Sequence, residues 1–330
     1  MTIEENVSLA PLTTFHIGGK ARHFARAASV EELKEALEFA RARDLKIFYL
    51  GGGSNVLFAD AGFDGLVVKI EVAGIERRGD EYVAGAGEPW DALCARAAAD
   101  GLWGIENLSG IPGTLGGACV QNIGAYGAAL SSVIEWVEVW DRAKNATRRL
   151  TREECSFGYR DSAFKHNDSI VLRAALKLSP SARPNLSYKD LAERFSGKEP
   201  SLIEVRSAVV DIRSRKFPDL AREGTAGSFF LNPVLPRAQA LALQGRFPGM
   251  PLFDMPETDR VKVPLAWLLD RALKLRGHAE GGARLFERQP LVIAALPGTR
   301  AAEVRALSDR VKKEAQEKLG LRVEEEVRVL

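Results

Sequence analysis

The chain contains 330 residues, which is enough for two or three domains of ordinary size. Its 46 Lys and Arg residues against 44 Asp and Glu residues leave a formal net charge of +2. This balance excludes the strong positive field of a nucleic-acid-binding protein, so we expect no nucleic-acid partner. Cys94, Cys119 and Cys155 lack C-x-x-C spacing, which argues against a disulfide framework, a redox dithiol or a zinc site. We expect buried thiols in a reducing cytosol.

The N-terminal residues show no basic segment followed by a long apolar run, so no signal peptide is predicted and a cytoplasmic location is expected. One uncharged stretch, residues 107–134, has the length of a membrane span. It contains six glycines, Pro112, Gln121 and two asparagines, a composition that does not suit a spanning helix. We therefore expect no membrane insertion and interpret the stretch as backbone packed closely against something buried.

The first half of the chain predicts alternating helices and strands. A helix over residues 29–43 begins with a capping box of Ser29 and Glu32 and carries apolar residues on one face. Short apolar runs predict strands, and an alanine-rich run closed by Gly101 predicts a second helix. In chain order these are strands 46–50, 66–70 and 82–86, helix 90–100, and strands 133–140 and 169–178. The pattern predicts a mixed α+β domain that the last two strands close.

The composition changes at residues 179–184, where two prolines and small polar residues predict a domain boundary. Beyond it, Ser201 and Glu204 form a second capping box at the start of a helix. The predicted buried stripe of this helix consists of Leu202, Val205, Val209 and Ile212. Two further helices, near residues 264–275 and 300–319, flank a predicted strand at residues 291–296.

The last segment, residues 321–329, alternates apolar and charged residues and predicts a strand with two different faces. The apolar face consists of Leu321, Val323, Val327 and Val329, and the polar face of Arg322, Glu324, Glu326 and Arg328. Glu325 shares the apolar face, so the two neighbouring glutamates are expected to point in opposite directions.

A glycine triplet, residues 51–53, directly follows a predicted strand and is continued by Ser54 and Asn55. A backbone without side chains can direct several N–H groups at one phosphate. Val56 stands where the Rossmann pattern requires glycine, and neither Gly19-Lys20 nor Gly197-Lys198 completes a P-loop, so both of those nucleotide motifs are excluded. The alternative interpretation is a tight turn that binds no ligand.

A second glycine-rich stretch, residues 110–118, lies about sixty residues downstream and continues into residues 121–127. Two such loops in one domain suggest a planar cofactor with a pyrophosphate, because glycine lets the backbone lie against a flavin ring. The alternative is a glycine-rich turn scaffold without a ligand.

Six motifs occur in order along the chain: GGGSNVL at residues 51–57, ENL at 106–108, IPG at 111–113, QNIGAYG at 121–127, FGYRDS at 157–162 and AGSFF at 226–230. In order and spacing they resemble those of the UDP-N-acetylenolpyruvoylglucosamine reductases, and residues 186–188 resemble the tyrosine-bearing loop of the family's type I branch. The resemblance extends from about Leu12 to the C-terminus. It implies a flavoenzyme that uses NADPH to make UDP-N-acetylmuramate for the bacterial cell wall.

The resemblance implies an α+β fold with an FAD-binding domain of the vanillyl-alcohol-oxidase type. This domain is expected at residues 1–180, with two α+β subdomains at about 1–70 and 71–180. A smaller α+β substrate domain is expected at residues 181–330, with the C-terminal strand carrying Glu326. FAD is expected to be non-covalent, because the aligned loops offer no obvious histidine or cysteine anchor. The expected cofactor contacts are Gly51, Gly52, Gly53, Ser54, Asn55, Val56, Ile111, Pro112, Gly113, Gly116, Gly117, Asn122 and Gly124.

The chemistry implied by the resemblance is hydride delivery to a vinyl carbon and protonation of the adjacent carbon. Negative charge builds on the neighbouring carboxylate oxygen, which calls for a fixed cation and an acid. By resemblance, Arg160 and Glu326 take these roles and Ser228 donates the proton. Without the resemblance, Arg160 reads as half of a salt bridge with Asp161, Ser228 as a turn residue or helix cap, and Glu326 as a solvated charge.

Tyr188, Lys216 and Asn232 resemble the family's contacts to the UDP-sugar substrate and to the nicotinamide nucleotide. Lys216 lies in a basic cluster, residues 213–216, that suits a diphosphate, although a solvated helix end is the simpler interpretation. The four histidines lack metal-ligand spacing, so no metal is predicted.

Two other functions remain open from the sequence: an FAD oxidase or dehydrogenase of another substrate, and a flavin-binding or nucleotide-binding protein without turnover. Among oligomeric states, a monomer is favoured.

Overall fold

The structure is a computed structural model that describes residues 1–182, 184–255 and 258–330. Its strands are β1 (Ile3–Ser8), β2 (Lys20–Ala27), β3 (Ile47–Leu50), β4 (Val56–Leu57), β5 (Phe63–Ile70), β6 (Ile75–Arg78), β7 (Glu81–Gly85), β8 (Gly124–Ala125), β9 (Ala128–Ala129), β10 (Ile134–Asp141), β11 (Ala146–Thr151), β12 (Ser169–Lys177), β13 (Val234–Pro236), β14 (Phe253–Asp254), β15 (Arg260–Lys262), β16 (Ala279–Glu280), β17 (Ala283–Leu285), β18 (Ile293–Ala295) and β19 (Arg328–Val329).

The α-helices are α1 (Val30–Arg41), α2 (Trp90–Ala99), α3 (Leu115–Gln121), α4 (Lys189–Arg194), α5 (Leu202–Lys216), α6 (Arg237–Arg246), α7 (Leu265–Trp267) and α8 (Ala301–Leu319). A π-helical turn, Leu268–Ala272, continues α7. Short 3-10 turns lie at Ala10–Leu12, Glu106–Leu108, Leu130–Ser132 and Ala163–Lys165. No helix in the described part of the chain is long and apolar enough to cross a membrane.

The chain divides into two compact units. Unit 1 comprises Met1–Val7, Ala21–Gly53 and Asp64–Ser214, and unit 2 comprises Ser8–Lys20, Ser54–Phe63 and Arg215–Leu330. The glycine triplet therefore ends the second segment of unit 1, and Ser54 and Asn55 begin a segment of unit 2.

Unit 1 contains a four-stranded sheet in the order β1-β2-β5-β3 and a five-stranded sheet in the order β11-β10-β12-β7-β6. The central strand, β12, pairs antiparallel with both β10 and β7. Its residues are mostly buried, as expected for a strand covered on both faces. The predicted helix near residue 30 is confirmed, because the Ser29 hydroxyl accepts from the Glu32 N–H at 3.1 Å and the Glu32 carboxylate accepts from the Ala28 N–H at 2.7 Å.

Residues 184–214 belong to unit 1, because Leu191, Val205 and Val209 share a buried cluster with Trp103 and Tyr126. The capping box predicted for α5 is present: the Ser201 N–H donates to Glu204 at 2.8 Å and the Glu204 N–H donates to the Ser201 hydroxyl at 3.4 Å. The functional boundary predicted between residues 180 and 181 stays a prediction. Arg183 of the predicted boundary segment lies outside the described residues.

Unit 2 contains two small antiparallel sheets, β13-β15-β14 and β16-β17-β18, and a parallel pair of β4 with β19. Its core includes Phe229, Phe230, Leu268 and Leu269. The Asp60 carboxylate accepts the backbone N–H groups of the first two residues of α8, at 2.8 and 3.0 Å, which satisfies donors that every helix leaves open.

The strand predicted over residues 321–329 is wrong in extent, because only Arg328–Val329 forms a strand. The segment changes partners along its length: residues 324–326 bond to residues 229–231, whereas Arg328 bonds to the Asn55 carbonyl. Alternating burial persists nevertheless, with Leu321, Val323 and Val327 buried. The alternation of apolar and charged residues therefore predicted which side chains are buried, but it did not predict the segment with which residues 321–329 pair.

Candidate active site

In unit 1, the two glycine-rich loops approach each other backbone to backbone. A Cβ atom built on Gly52 would lie 2.6 Å from the Cα atom of Gly113, and one on Gly51 would lie 2.8 Å from the Thr114 hydroxyl oxygen. Real Cβ atoms do not come this close to backbone, so no larger residue fits at position 52 without moving the opposite loop. The two loops therefore bring backbone without side chains together at one position in unit 1.

The second loop is held by backbone hydrogen bonds to residues around α2. Gly113 accepts from the Trp90 N–H at 3.0 Å, the Leu115 N–H donates to Glu88 at 2.9 Å, and the Gly116 N–H donates to Ala86 at 2.9 Å. Since a Cβ on Gly116 would lie 2.8 Å from the Ala86 Cβ, this glycine also permits close packing. The loop backbone is therefore fixed before any ligand binds.

Thr114 was not singled out by its sequence pattern, yet its hydroxyl is distinctive. The oxygen is buried beside Gly51 and Gly117 and has no hydrogen-bond partner among the described residues. Leaving a buried hydroxyl unpaired costs roughly 1–3 kcal/mol, so the position suggests a missing acceptor or donor. The only sequence signal was its place inside a run of glycines.

Asn122 ends α3 in the left-handed conformation, with φ of 41°. Its side-chain amide donates to the Gly158 carbonyl at 2.8 Å, and its amide oxygen accepts from the Ser131 N–H at 3.0 Å. Both ends of this side chain thus hold backbone in place. Asn122 positions the segment that contains Gly124 and the segment that leads to Arg160.

Arg160 has a left-handed backbone with φ of 55°, which is uncommon for a residue with a side chain and is often found at functional sites. Its guanidinium donates to the carbonyl of Gly124. A Cβ on Gly124 would lie 2.8 Å from the guanidinium, so the glycine makes room for it. The neighbouring Asp161 carboxylate lies 2.9 Å from the ring of His166.

Tyr188 lies against Tyr126 in an edge-to-face arrangement, with ring centroids 4.9 Å apart and an angle of 84°. Asn107 ties the two segments together, because its amide donates to the carbonyls of Tyr126 at 2.7 Å and Asn185 at 2.8 Å. Sequence reasoning quoted Asn107 only as part of a motif and did not predict this link. Tyr188 itself is 37% exposed, so part of the residue is accessible to solvent.

In unit 2, Ser228 follows a tight turn. The Gly227 N–H donates to the Thr225 hydroxyl at 3.2 Å, and Gly227 has φ of 76°, a conformation that favours glycine. Ser228 then pairs with Val292, and the next N–H, that of Phe229, donates to Leu291 at 2.7 Å. Because Phe229 is fully buried, it anchors the extended segment that presents Ser228.

Glu326 is held on the other side of this segment. Its N–H donates to the Phe229 carbonyl at 2.8 Å, and its own carbonyl accepts from the Asn55 side chain at 3.1 Å. Unit 2 thus brings Ser228, Glu326 and Asn55 onto adjoining segments. The Glu325 carboxylate accepts from the Ser308 hydroxyl at 2.6 Å and from Lys312. The opposite orientation expected for the two glutamates stays a prediction.

The other predicted site residues of unit 2 have mixed surroundings. Val56 lies in β4 and is buried. The Asn232 amide oxygen accepts from the Leu265 N–H at 2.9 Å and caps α7. Lys216 is the last residue of α5 and is half-buried.

The three cysteines are free and buried, as predicted. Burial raises the pKa of Cys94 and Cys119 far above the usual range, and burial raises the pKa of Cys155 to about 12. These thiols are therefore protonated near neutral pH and unsuited to nucleophilic chemistry. Among the described residues, no group of three or more His, Cys, Asp or Glu side chains is arranged to hold a metal ion.

Two family models match the chain in succession. Residues 21–151 match the FAD binding domain, and residues 219–330 match the C-terminal domain of UDP-N-acetylenolpyruvoylglucosamine reductase. Curated reductases of that name are similar over nearly the whole chain. The protein of Chromobacterium violaceum is 38% identical and that of Ralstonia nicotianae 34% identical, each over 98% of this chain and 98% of its own length.

A solved structure is similar over the same extent. The crystal structure of UDP-N-acetylenolpyruvylglucosamine reductase from Thermus caldophilus has a TM-score of 0.73 and 29% identity, covering 100% of this chain and 99% of that one. The predicted fold class is confirmed: an α+β FAD-binding domain of the vanillyl-alcohol-oxidase type is followed by a second α+β domain.

Proposed function

Because the chain belongs to the UDP-N-acetylenolpyruvoylglucosamine reductase family, we propose that it reduces UDP-N-acetylenolpyruvoylglucosamine to UDP-N-acetylmuramate with NADPH. The observation that carries this proposal is identity of 34–38% over the full length of curated reductases. The reaction provides a peptidoglycan precursor and takes place in the cytoplasm. UDP-sugar and nicotinamide nucleotide are the small-molecule partners.

The chain carries an FAD-binding domain, and the loops of unit 1 fit the cofactor. Gly51, Gly52 and Gly113 are partly exposed and Gly117 is exposed, and the buried Thr114 hydroxyl lacks a partner among the described residues. When bound, FAD supplies hydride transfer between NADPH and the enolpyruvyl group. The cofactor-binding residues in unit 2 are Ser54, Asn55 and Val56, and those in unit 1 are Gly51, Gly52, Gly53, Ile111, Pro112, Gly113, Gly116, Gly117, Asn122 and Gly124. Attachment is non-covalent.

Reduction adds a hydride to the terminal vinyl carbon and a proton to the carbon beside the carboxylate. Ser228 is the proposed proton donor. A serine hydroxyl is a weak acid in water, but it can protonate a strongly basic carbanion from which water is excluded. Its turn and the anchored Phe229 support this role, because they fix the direction of a short side chain.

Arg160 and Glu326 are proposed to stabilise the charge that builds on the substrate carboxylate. The Gly124 carbonyl holds the Arg160 guanidinium and thereby lowers the cost of reorganisation during the reaction. Glu326 acts as the hydrogen-bonding acid, and its backbone is held from both sides. Tyr188, Lys216 and Asn232 are the proposed contacts for the UDP-sugar and the nicotinamide nucleotide, Lys216 with the charge for a diphosphate.

Arg160→Ala is expected to slow reoxidation of the reduced flavin by the enolpyruvyl substrate about 100-fold, the typical cost of losing one group that stabilises transition-state charge. Reduction by NADPH should be little changed. Rapid-mixing absorbance of the two half-reactions checks this, with Arg149→Ala, an exposed arginine paired with Glu138, as the control. An unchanged reoxidation rate would return Arg160 to a purely structural role.

The activity itself is tested by incubating the holoenzyme with NADPH and UDP-N-acetylenolpyruvoylglucosamine in D₂O. We expect UDP-N-acetylmuramate with deuterium on the carbon beside the carboxylate, detected by mass spectrometry and NMR. Oxidation of NADPH with oxygen consumption but without this product would favour an FAD oxidase or dehydrogenase of another substrate. Binding of FAD without NADPH oxidation would favour a protein without turnover.

A further inference from the structure

The peptide of Gly110, at the start of the second glycine-rich loop, is held on both sides within unit 1. Its N–H donates to the Asp91 carboxylate at 2.6 Å, and its carbonyl accepts from the Arg213 guanidinium at 3.0 Å. Gly110 has φ of 71°, and a Cβ there would lie 3.3 Å from the Arg213 side chain.

Asp91 is itself fixed by a second arginine. The two guanidinium nitrogens of Arg206 donate to its two carboxylate oxygens at 2.7 and 3.0 Å, the paired geometry that makes such bonds strong and directional. Burial alone would raise the pKa of Asp91, but hydrogen bonds from Arg206 and from the Gly110 N–H outweigh it and hold the pKa below the usual range. The carboxylate therefore stays ionised near neutral pH.

Arg206 and Arg213 lie two turns apart on α5, so they share one face of that helix. Arg213 is half-buried, and burial lowers the pKa of its guanidinium. Burying a charge carries a cost unless its hydrogen bonds are satisfied, and this guanidinium donates to the loop carbonyl of Gly110 and interacts with the Tyr126 side chain. We call Asp91, Arg206 and Arg213 the Gly110 clamp.

The position of Gly110 determines the position of the second glycine-rich loop. Trp90, next to Asp91, donates its indole N–H to Leu108 at 2.9 Å and its backbone N–H to Gly113 at 3.0 Å. The two hydrogen bonds of Trp90 therefore hold residues 108–113 against the first turn of α2. Gly113 is the residue of this loop that lies against Gly52. A shift of the Gly110 peptide would change the approach of the two glycine-rich loops.

We infer that the Gly110 clamp is a set of positioning residues that holds the second glycine-rich loop in its FAD-binding conformation. This inference depends on FAD binding, which is one part of the proposed function. It does not depend on the roles proposed for the catalytic residues. Both of its arginines lie beyond residues 21–151, the region that matches the FAD binding domain. Cofactor affinity in this chain therefore depends on α5.

An ion pair on the same helix provides a matched control. Arg194 of α4 pairs with Asp211 of α5, and both side chains are 42% exposed. Like Asp91, Asp211 is an aspartate paired with an arginine, and this arginine lies on α4. Asp91→Ala and Asp211→Ala therefore remove the same chemistry, and only the first releases the Gly110 N–H.

The test titrates full-length apoprotein with FAD and follows quenching of flavin fluorescence, and a thermal melt of each apoprotein measures its stability. Asp91→Ala is expected to raise the FAD dissociation constant about tenfold or more, and Asp211→Ala to leave it within about twofold. At saturating FAD, the visible circular dichroism of the flavin should differ from wild type only in Asp91→Ala, because this substitution displaces the loop that is proposed to bind the cofactor.

Equal FAD affinity of the two alanine variants would overturn the inference, and so would a saturated flavin spectrum identical to wild type, which would leave the clamp a general stability element. If Asp91→Ala fails to fold, Asp91→Asn and Arg206→Met are tested in its place. Unchanged FAD affinity in both of these variants would overturn the inference. Since neither NADPH nor substrate is present, the outcome is independent of whether the enolpyruvyl substrate is the correct one.

Discussion

Ser228→Ala should leave reduction of the flavin by NADPH within about twofold of wild type and slow its reoxidation by the enolpyruvyl substrate about 1000-fold or more, within the range for loss of a positioned proton donor. The substitution removes one hydroxyl and keeps the backbone on which the segment depends, since the bonds to Leu291 and Glu326 are made by Phe229. Anaerobic rapid mixing resolves the two half-reactions separately.

Ser308→Ala is the control for this variant. Ser308 is a fully buried serine of the same unit, and its hydroxyl donates to Glu325. Its loss measures the effect of removing a packed hydroxyl away from the proposed proton donor, and both half-reactions should remain near wild type. Equal slowing of both half-reactions in Ser228→Ala would contradict the proposed role, because a proton donor to the substrate takes no part in the first.

Gly52→Ala should weaken FAD binding roughly 100-fold, which corresponds to about 2.7 kcal/mol. The new methyl group would lie 2.6 Å from the Cα and 3.0 Å from the carbonyl carbon of Gly113, and neither is the movable end of a side chain. The two loops must therefore separate, and the backbone that fits the cofactor is lost. Fluorescence titration of apoprotein with FAD measures the change.

Gly245→Ala is the matched control for Gly52→Ala. Gly245 lies in the helix α6, and among the described residues no atom beyond its chain neighbours and the adjacent helix backbone lies within 4 Å of a Cβ built on it. Replacing a helical glycine by alanine should raise the free energy of unfolding by about 0.5–1 kcal/mol and leave FAD affinity unchanged. If Gly52→Ala binds FAD as tightly as Gly245→Ala does, the approach of the two glycine loops does not set cofactor affinity.

Local patterns predicted the elements well where the signal lies within a few residues. Both capping boxes, at Ser29 and Ser201, formed as their spacing indicated. The sequence also indicated the close approach of the two glycine-rich loops. Glycine is required where two backbones come this near to each other, as at Gly52 and Gly113. Turn-forming and cap-forming residues act over short distances, so the sequence displays them directly.

Long-range pairing was not predictable in the same way. The final segment alternates as a strand would, yet its partner changes from residues 229–231 to Asn55, and no local pattern encodes that change. Asp91 and Arg206 are 115 positions apart, and each reads alone as an ordinary surface charge. Thr114 and Asn107 likewise acquire their significance only from neighbours that the fold supplies.

The measurement that tests the central claim most directly is an anaerobic absorbance trace at the flavin band of the purified holoenzyme. NADPH is added first, and UDP-N-acetylenolpyruvoylglucosamine follows once the flavin is reduced. Our account predicts rapid bleaching and then rapid recovery of the band, with one UDP-N-acetylmuramate formed for each flavin reoxidised. Bleaching that the enolpyruvyl substrate does not reverse would contradict the reductase function and leave only an FAD protein that accepts electrons from NADPH.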